Sequence, residues 1–428
     1  MLPETRPYGR RARTLSTARS FYSCLSLLPR RNEHCRVGER PASRVSEVDM
    51  DIRELHVIDV DSHITEPPDL WTRRAPSQFV DRVPRVVEVD GTSMWSFDGV
   101  PLGRLNLSSV VLTSGEKVPG PAFFDFDREQ IHAASSDMHA RLEFLDAQGI
   151  YAQVLYPNVA GFGAQKFGEV ADPELRRLCV TLYNDAMVEI QEESGGRLLP
   201  MALTPWWDVD ACVDEVHRTA ADGLHGVNIC SDPHLRGAPE LWQREWDPFW
   251  EACAEHRQSV NFHIGASEAS MSWYGTSPWP TLDGERKLAI GSAMMYLSNA
   301  RTLANLIFSG VLERFAGVKF VSVESGIGWI PFFLESLDYQ LYESSPSVVD
   351  ELSMLPSEYF KRQVYGCFWF EHRMLASVID ALGPSQILYP DPLTAAAQAL
   401  EGMPDEVKRQ VLQDNAAELY RVRLPVTA

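Results

Sequence analysis

Between residues 56 and 421, short β-branched and aromatic runs alternate with longer segments whose apolar positions recur at intervals of three and four. The short runs are 56–61 (HVIDVD), 151–157, 197–205, 226–230, 259–265 (SVNFHIG), 318–325 (VKFVSVES), 363–370 and 386–389. Their length and composition predict strands. The intervening segments 135–149, 173–194, 209–222, 240–256, 292–314, 329–342, 371–382 and 404–421 carry the helical spacing, and Gly149, Gly223 and Gly383 stand where helices should stop. Nearly continuous apolar strands, each followed by one helix, read as parallel strands covered by helices. Eight such units close most economically into a (β/α)8 TIM barrel. A doubly wound open sheet is the competing arrangement, but its GxGxxG fingerprint is missing after the first strand. Residues 67–134 form a long insertion between strand 1 and helix 1. Its aromatics, Trp71, Trp95, Phe123, Phe124 and Phe126, suggest a lid over a pocket.

The chain of 428 residues, 45% of them hydrophobic, can bury one large core or two ordinary ones. Its net charge of −20 argues against nucleic acid as a partner, since phosphate binding needs clustered Lys and Arg. A small-molecule substrate is expected instead, together with self-association into a homo-oligomer. Seven cysteines, at 24, 35, 179, 212, 230, 253 and 367, include no CxxC pair. Neither a disulfide framework nor a thiolate zinc site is suggested, and a cytoplasmic setting fits best. No apolar run reaches the length of a membrane-spanning helix. Residues 1–49 stand apart, with ten Arg against five acids, a net of +5 that leaves −25 on the remainder. They lack a core-forming pattern and read as a disordered or spurious extension, or as a targeting segment, ahead of a single barrel domain over 50–428.

In such a barrel the chemistry lies at the carboxyl ends of the strands, which separates candidate polar residues from structural ones. Asp59, Asp61 and His63 crowd the end of strand 1, where unpaired buried carboxylates would be costly. Asp61 and His63, two apart, point to the same side of an extended chain and can aim two ligands at one metal. His263 ends strand 5 and completes an oxygen/imidazole set suited to one divalent metal, zinc first and manganese second. Glu324 ends strand 6 and can be a ligand, a general acid or base, or the cap of the following helix. Trp206, Trp207 and Trp369 follow strands 3 and 7 and offer flat walls for a planar substrate or simple packing. His225 precedes strand 4 and belongs to the stability face. His139, His217 and His256 lie on helices, while His372 follows strand 7 and can approach the pocket.

The stretches VIDVDSHITEPPDLW, RLEFLDAQGIYAQVLYPN, HIG and LANLIFSGVLERFAGVKFVSVESGIGWIPFFLESLDY resemble amidohydrolase-related metal-dependent enzymes. The similar branch contains aminocarboxymuconate semialdehyde decarboxylase and the resorcylate-type decarboxylases. The resemblance implies a (β/α)8 TIM barrel of the metal-dependent hydrolase type, with one catalytic divalent metal held by Asp61, His63 and His263. Two departures accompany it. A histidine is common in that family where this chain has Glu324, and the family's strand-8 Asp-x-Pro-His segment is absent from QILYPDPLTAAAQAL. Asp391, between Pro390 and Pro392, is either a recruited fourth ligand or part of the lead into the last helix. Three functions remain open: a metal-dependent carboxy-lyase acting on a small unsaturated or aromatic acid, a metal-dependent hydrolase of an ester, lactone or amide, and a barrel impaired by an incomplete metal site.

Overall fold

The structure, a computed structural model, describes residues 52–105, 111–120, 122, 128–390 and 393–425. The expectations for residues 1–49, for Phe123, Phe124 and Phe126, and for Asp391 lie outside the described residues. Strand β1 is Val57–Ile64; the insertion after it contributes β2 (Arg85–Val89), β3 (Thr92–Phe97) and β4 (Val100–Arg104). The remaining strands are β5 (Ile150–Pro157), β6 (Leu198–Pro200), β7 (Ala202–Leu203), β8 (Gly226–Asn228), β9 (Ser259–His263), β10 (Lys319–Val323), β11 (Val364–Cys367) and β12 (Ile387–Leu388). One arc pairs β1, β5 and β6; the other runs β7, β8, β9, β10, β11, β12, parallel throughout.

Two backbone bonds join the arcs. Met201, the residue between β6 and β7, donates to the Leu155 carbonyl at 3.0 Å, so those two short strands act as one staff. Val60 donates to the Tyr389 carbonyl at 2.9 Å, which returns the sheet to its first strand. The result is the eight-membered parallel barrel that the alternation predicts.

Helix starts follow the expected chemistry. Asp137, Asp172 and Asp208 each accept backbone N–H groups at the first turns of Met138–Gln148, Pro173–Glu193 and Val209–Ala221. The barrel interior is apolar, built from residues such as Ile58, Val60, Val154, Met201, Val321 and Val323, and is plugged from below by Leu419, Tyr420 and Val422. A larger layer lies between strands and helices and includes Trp71, Tyr183, Trp250 and Phe320.

The insertion differs from the irregular lid expected. Strands β2, β3 and β4 make an antiparallel sheet, and Trp95 meets Trp71 edge-on at 5.9 Å. The Trp71 indole donates to the Cys179 carbonyl at 3.0 Å. Both indoles are fully buried and fasten the insertion to Pro173–Glu193. Their apolar area is spent on packing.

Candidate metal centre

A bulge decides which strand-1 polar groups reach the barrel mouth. Ile58 and Val60 face the interior, so strict alternation would send Asp59, Asp61 and His63 outward together. Instead, Asp59 pairs with Gln153 and Ser62 with Leu155, three steps on β1 against two on β5. The extra residue reverses the phase, and Asp61 and His63 turn inward. Asp59 stays outside the mouth and is compensated differently from the shared cation expected for the strand-1 acids. It accepts Gln153 Nε2 at 2.6 Å, and Gln153 Oε1 accepts Arg141 Nη1 at 2.9 Å. The buried Arg141 guanidinium also donates to Ala134 O, Ser62 Oγ and the carbonyl of His63 at 2.7, 3.0 and 2.7 Å. The backbone of His63 is thereby held from behind.

Inside the mouth, Asp61, His63 and His263 place one potential ligand atom each within 4.8 Å of one another. His263 Nε2 stands 3.5 Å from Asp61 Oδ1, and the two imidazoles meet at 71° with centroids 4.8 Å apart. Asp61 Oδ1, His63 Nδ1 and His263 Nε2 are all buried without a hydrogen-bond partner. Leaving three such atoms bare would cost several kcal/mol, on the order of 1–3 each. A cation between them removes that cost. The ring of His263 is already oriented for it: Nδ1 lies 2.7 Å from the Ile264 carbonyl, which can only accept, so Nδ1 carries the proton and Nε2 presents its lone pair. Burial, then the neighbouring His263, hold the His63 pKa well below its usual value and keep that ring neutral, as a metal ligand must be. Burial also works against charge on His263, but Asp61 and Glu324 outweigh it and raise its pKa. Positive charge is favoured at this point. Two imidazoles and a carboxylate match zinc or manganese better than magnesium or calcium.

Glu324 follows β10 immediately and has a left-handed backbone, φ +56°. Its Oε2 lies 3.3 Å from His263 Nε2. Burial, against the pull of His263 and with the push of Asp61, raises its pKa to about 7. Sequence reasoning missed what holds this strained turn. Glu371 Oε1 accepts the N–H groups of Ile327 and Gly328 at 2.6 and 3.0 Å, while Oε2 accepts that of Trp369 at 2.8 Å. A Cβ at Gly326, φ +65°, would sit 2.5 Å from that carboxylate, so glycine is required there. The only sequence signal was an acid after β11 beside His372, and His372 itself is exposed.

The walls are aromatic. Phe162 lies 4.6 and 4.5 Å, ring to ring, from His63 and His263. Tyr296, its phenol pushed up to about 12 by burial and then by Glu324, meets the half-buried Trp369 edge-on at 5.6 Å. Trp206 lies elsewhere: fully buried, it packs under Gly168 against Trp207 and donates to the Gly163 carbonyl at 2.9 Å. His225 is found at the opposite end, where Arg421 binds its Nδ1 at 2.7 Å.

A profile of the family described as Amidohydrolase matches residues 58–422. The chain belongs to the amidohydrolase family. No curated protein matches this amidohydrolase. Among solved structures it is similar to an amidohydrolase from Mycobacterium avium subsp. paratuberculosis K-10, at 21% identity and TM-score 0.67 over 86% of this chain and 99% of that one. A second is the 5-carboxyvanillate decarboxylase of Novosphingobium aromaticivorans with bound manganese and 3-methoxy-4-hydroxy-5-nitrobenzoic acid: 17%, 0.61, 88% and 100%. A third is 2,6-dihydroxybenzoate decarboxylase from Rhizobium: 15%, 0.56, 86% and 99%. These likenesses establish the shared barrel fold, and the family assignment makes this amidohydrolase an enzyme of a metal-dependent class.

Proposed function

We propose that this amidohydrolase is a divalent-metal-dependent carboxy-lyase that removes CO2 from a small aromatic or unsaturated carboxylic acid. The observation carrying the proposal is the set of three buried, partnerless donor atoms on Asp61, His63 and His263, facing one another beneath an aromatic mouth. Asp61, His63 and His263 would hold the ion, zinc by donor chemistry or manganese as in one similar decarboxylase. Bound there, it supplies Lewis-acid charge to the substrate's carboxylate and adjacent oxygen. Phe162 and Tyr296 flank a planar ring, with Trp369 on the rim. Loss of CO2 leaves an electron pair on carbon, which needs a proton. Glu324, a buried carboxyl 3.3 Å from His263 Nε2, is placed to deliver that proton to the carbon and take it back from water afterwards. Asp391 is the alternative carrier of that proton.

The test is a panel of hydroxybenzoates and unsaturated acids offered to the zinc- or manganese-loaded full chain, with released CO2 quantified. CO2 release that disappears in Glu324→Gln supports the assignment. Release of an acid from esters, lactones or amides, with no CO2 from any carboxylate, would replace it with the hydrolase reading.

A further inference from the structure

The outer surface carries a second group of metal-ligating side chains that the proposed reaction does not use. His217 lies on the helix Val209–Ala221, and Glu255 and His256 end the neighbouring helix Asp247–Glu255. Although 39 positions apart, the two imidazoles meet edge to face, at 82° with centroids 4.9 Å apart. Nδ1 of His217 and Nε2 of His256 are separated by 2.7 Å. With Glu255, the three offer ligand atoms within 4.8 Å of one another. His217 and Glu255 are exposed and His256 is half-buried.

We propose that His217, His256 and Glu255 form a second, solvent-open site for a divalent transition metal, at the end of the barrel opposite Asp61, His63 and His263. Two nitrogens that close must share something positive. Without metal it is a proton, one ring donating and the other accepting. A transition metal can replace that proton. On one tetrahedral zinc at ~2.0–2.1 Å, two imidazole nitrogens stand about 3.3 Å apart. Opening the pair by that small margin needs only side-chain rotation of the exposed His217. The backbone beneath is fixed: His256 donates to the Ala252 carbonyl at 3.1 Å, and its own carbonyl accepts Arg421 Nη1 at 3.4 Å. The Glu255 carboxylate supplies a third ligand and water the fourth, which leaves the site open and readily exchanging. Imidazole donors select zinc, nickel or copper over magnesium and calcium. The chain's charge of −20 favours cations in general, while Arg421 opposes them locally. An ion bound there would tie two adjacent outer helices together, a task unrelated to the chemistry at the mouth.

The experiment is equilibrium dialysis of the full chain against micromolar Zn2+ at neutral pH, with bound metal counted. It is carried out on the otherwise unaltered chain and on His263→Ala, which removes the mouth site. His263→Ala is expected to retain a zinc equivalent that is lost on adding His217→Ala or His256→Ala, and Glu255→Gln should weaken it several-fold. The same histidine changes in the otherwise unaltered chain should also remove one equivalent, so the result does not depend on how His263→Ala folds. In His263→Ala, bound Cu2+ should show electron-spin-resonance coupling to two nitrogens, lost on adding His217→Ala or His256→Ala. Unchanged zinc uptake in both histidine variants overturns the proposal. Because His217 and Glu255 are exposed, His217→Ala and Glu255→Gln should melt as the parent does in the absence of metal.

Discussion

Replacing Arg141 with Met tests how the barrel wall behind the candidate metal centre is held. The side chain is buried and donates to five acceptors: Ala134 O, Ser62 Oγ, Gln153 Oε1, His63 O and, at 3.5 Å, Ser135 O. It also balances Asp59, reached through Gln153. Methionine fills similar space but donates nothing, leaving those acceptors and the Asp59 charge buried. Breaking one partner of a buried charge pair costs about 3–5 kcal/mol. In a domain this size a loss of 1 kcal/mol lowers the melting temperature by roughly 2 °C, so Arg141→Met should melt about 6–10 °C lower by calorimetry. Arg141→Lys should be nearly as damaging, since an ammonium cannot serve a forked set of acceptors. Adding Asp59→Asn to Arg141→Met should restore part of the loss, a coupling of about 1–3 kcal/mol. Because Arg141 Nη2 holds the His63 carbonyl, metal affinity should also fall by about tenfold. A melting temperature within about 2 °C of the parent would refute the argument.

Residues 1–49 are proposed to be dispensable, and a chain beginning at Met50 should melt within error of the full one; a drop above ~5 °C would mean that the segment packs on the barrel. Glu66 is fully buried, and burial raises its pKa to about 7 against the backbone N–H groups of Val159 and Asn158 that bond it. The folded state therefore binds the extra proton between the ordinary carboxyl value and about 7, and its contribution is full below that window and lost as pH rises through it. Glu66→Gln should flatten this slope and match or exceed the parent's stability above pH 7, by on the order of 1 kcal/mol; an unchanged slope in thermal melts would contradict it. Asp391→Asn and Glu324→Gln separate the two candidates for proton transfer and metal closure. Glu324→Gln should abolish turnover and Asp391→Asn should leave metal content intact; the reverse pattern would return the strand-8 position to the site.

The barrel was legible because its strands are buried on both faces and its helices on one, which imprints two distinct periods on the sequence. That Asp61, His63 and His263 come together was legible for a related reason: polar residues ending apolar runs of parallel strands converge at one end of a barrel. The bulge was not legible. Which of Asp59, Asp61 and His63 enters the mouth depends on register against β5, a property of two strands at once. Arg141 was hidden by its class, since an arginine on a helix is ordinarily solvated, and only the fold shows it beneath β1. Glu371 was hidden because its partners are backbone amides of a turn more than forty residues earlier. For Trp206 position after a strand left a wall and simple packing both open, and the side chain is buried in the packing layer.

The central claim is that Asp61, His63 and His263 share one divalent cation. Its most direct test is the metal content of His263→Ala and His225→Ala after loading and dialysis, corrected for metal removed by His217→Ala. The account predicts that His263→Ala loses the mouth equivalent. It predicts that His225→Ala keeps it, because that ring is engaged by Arg421 at the far end of the barrel. Equal loss in both, or none in His263→Ala, would contradict it.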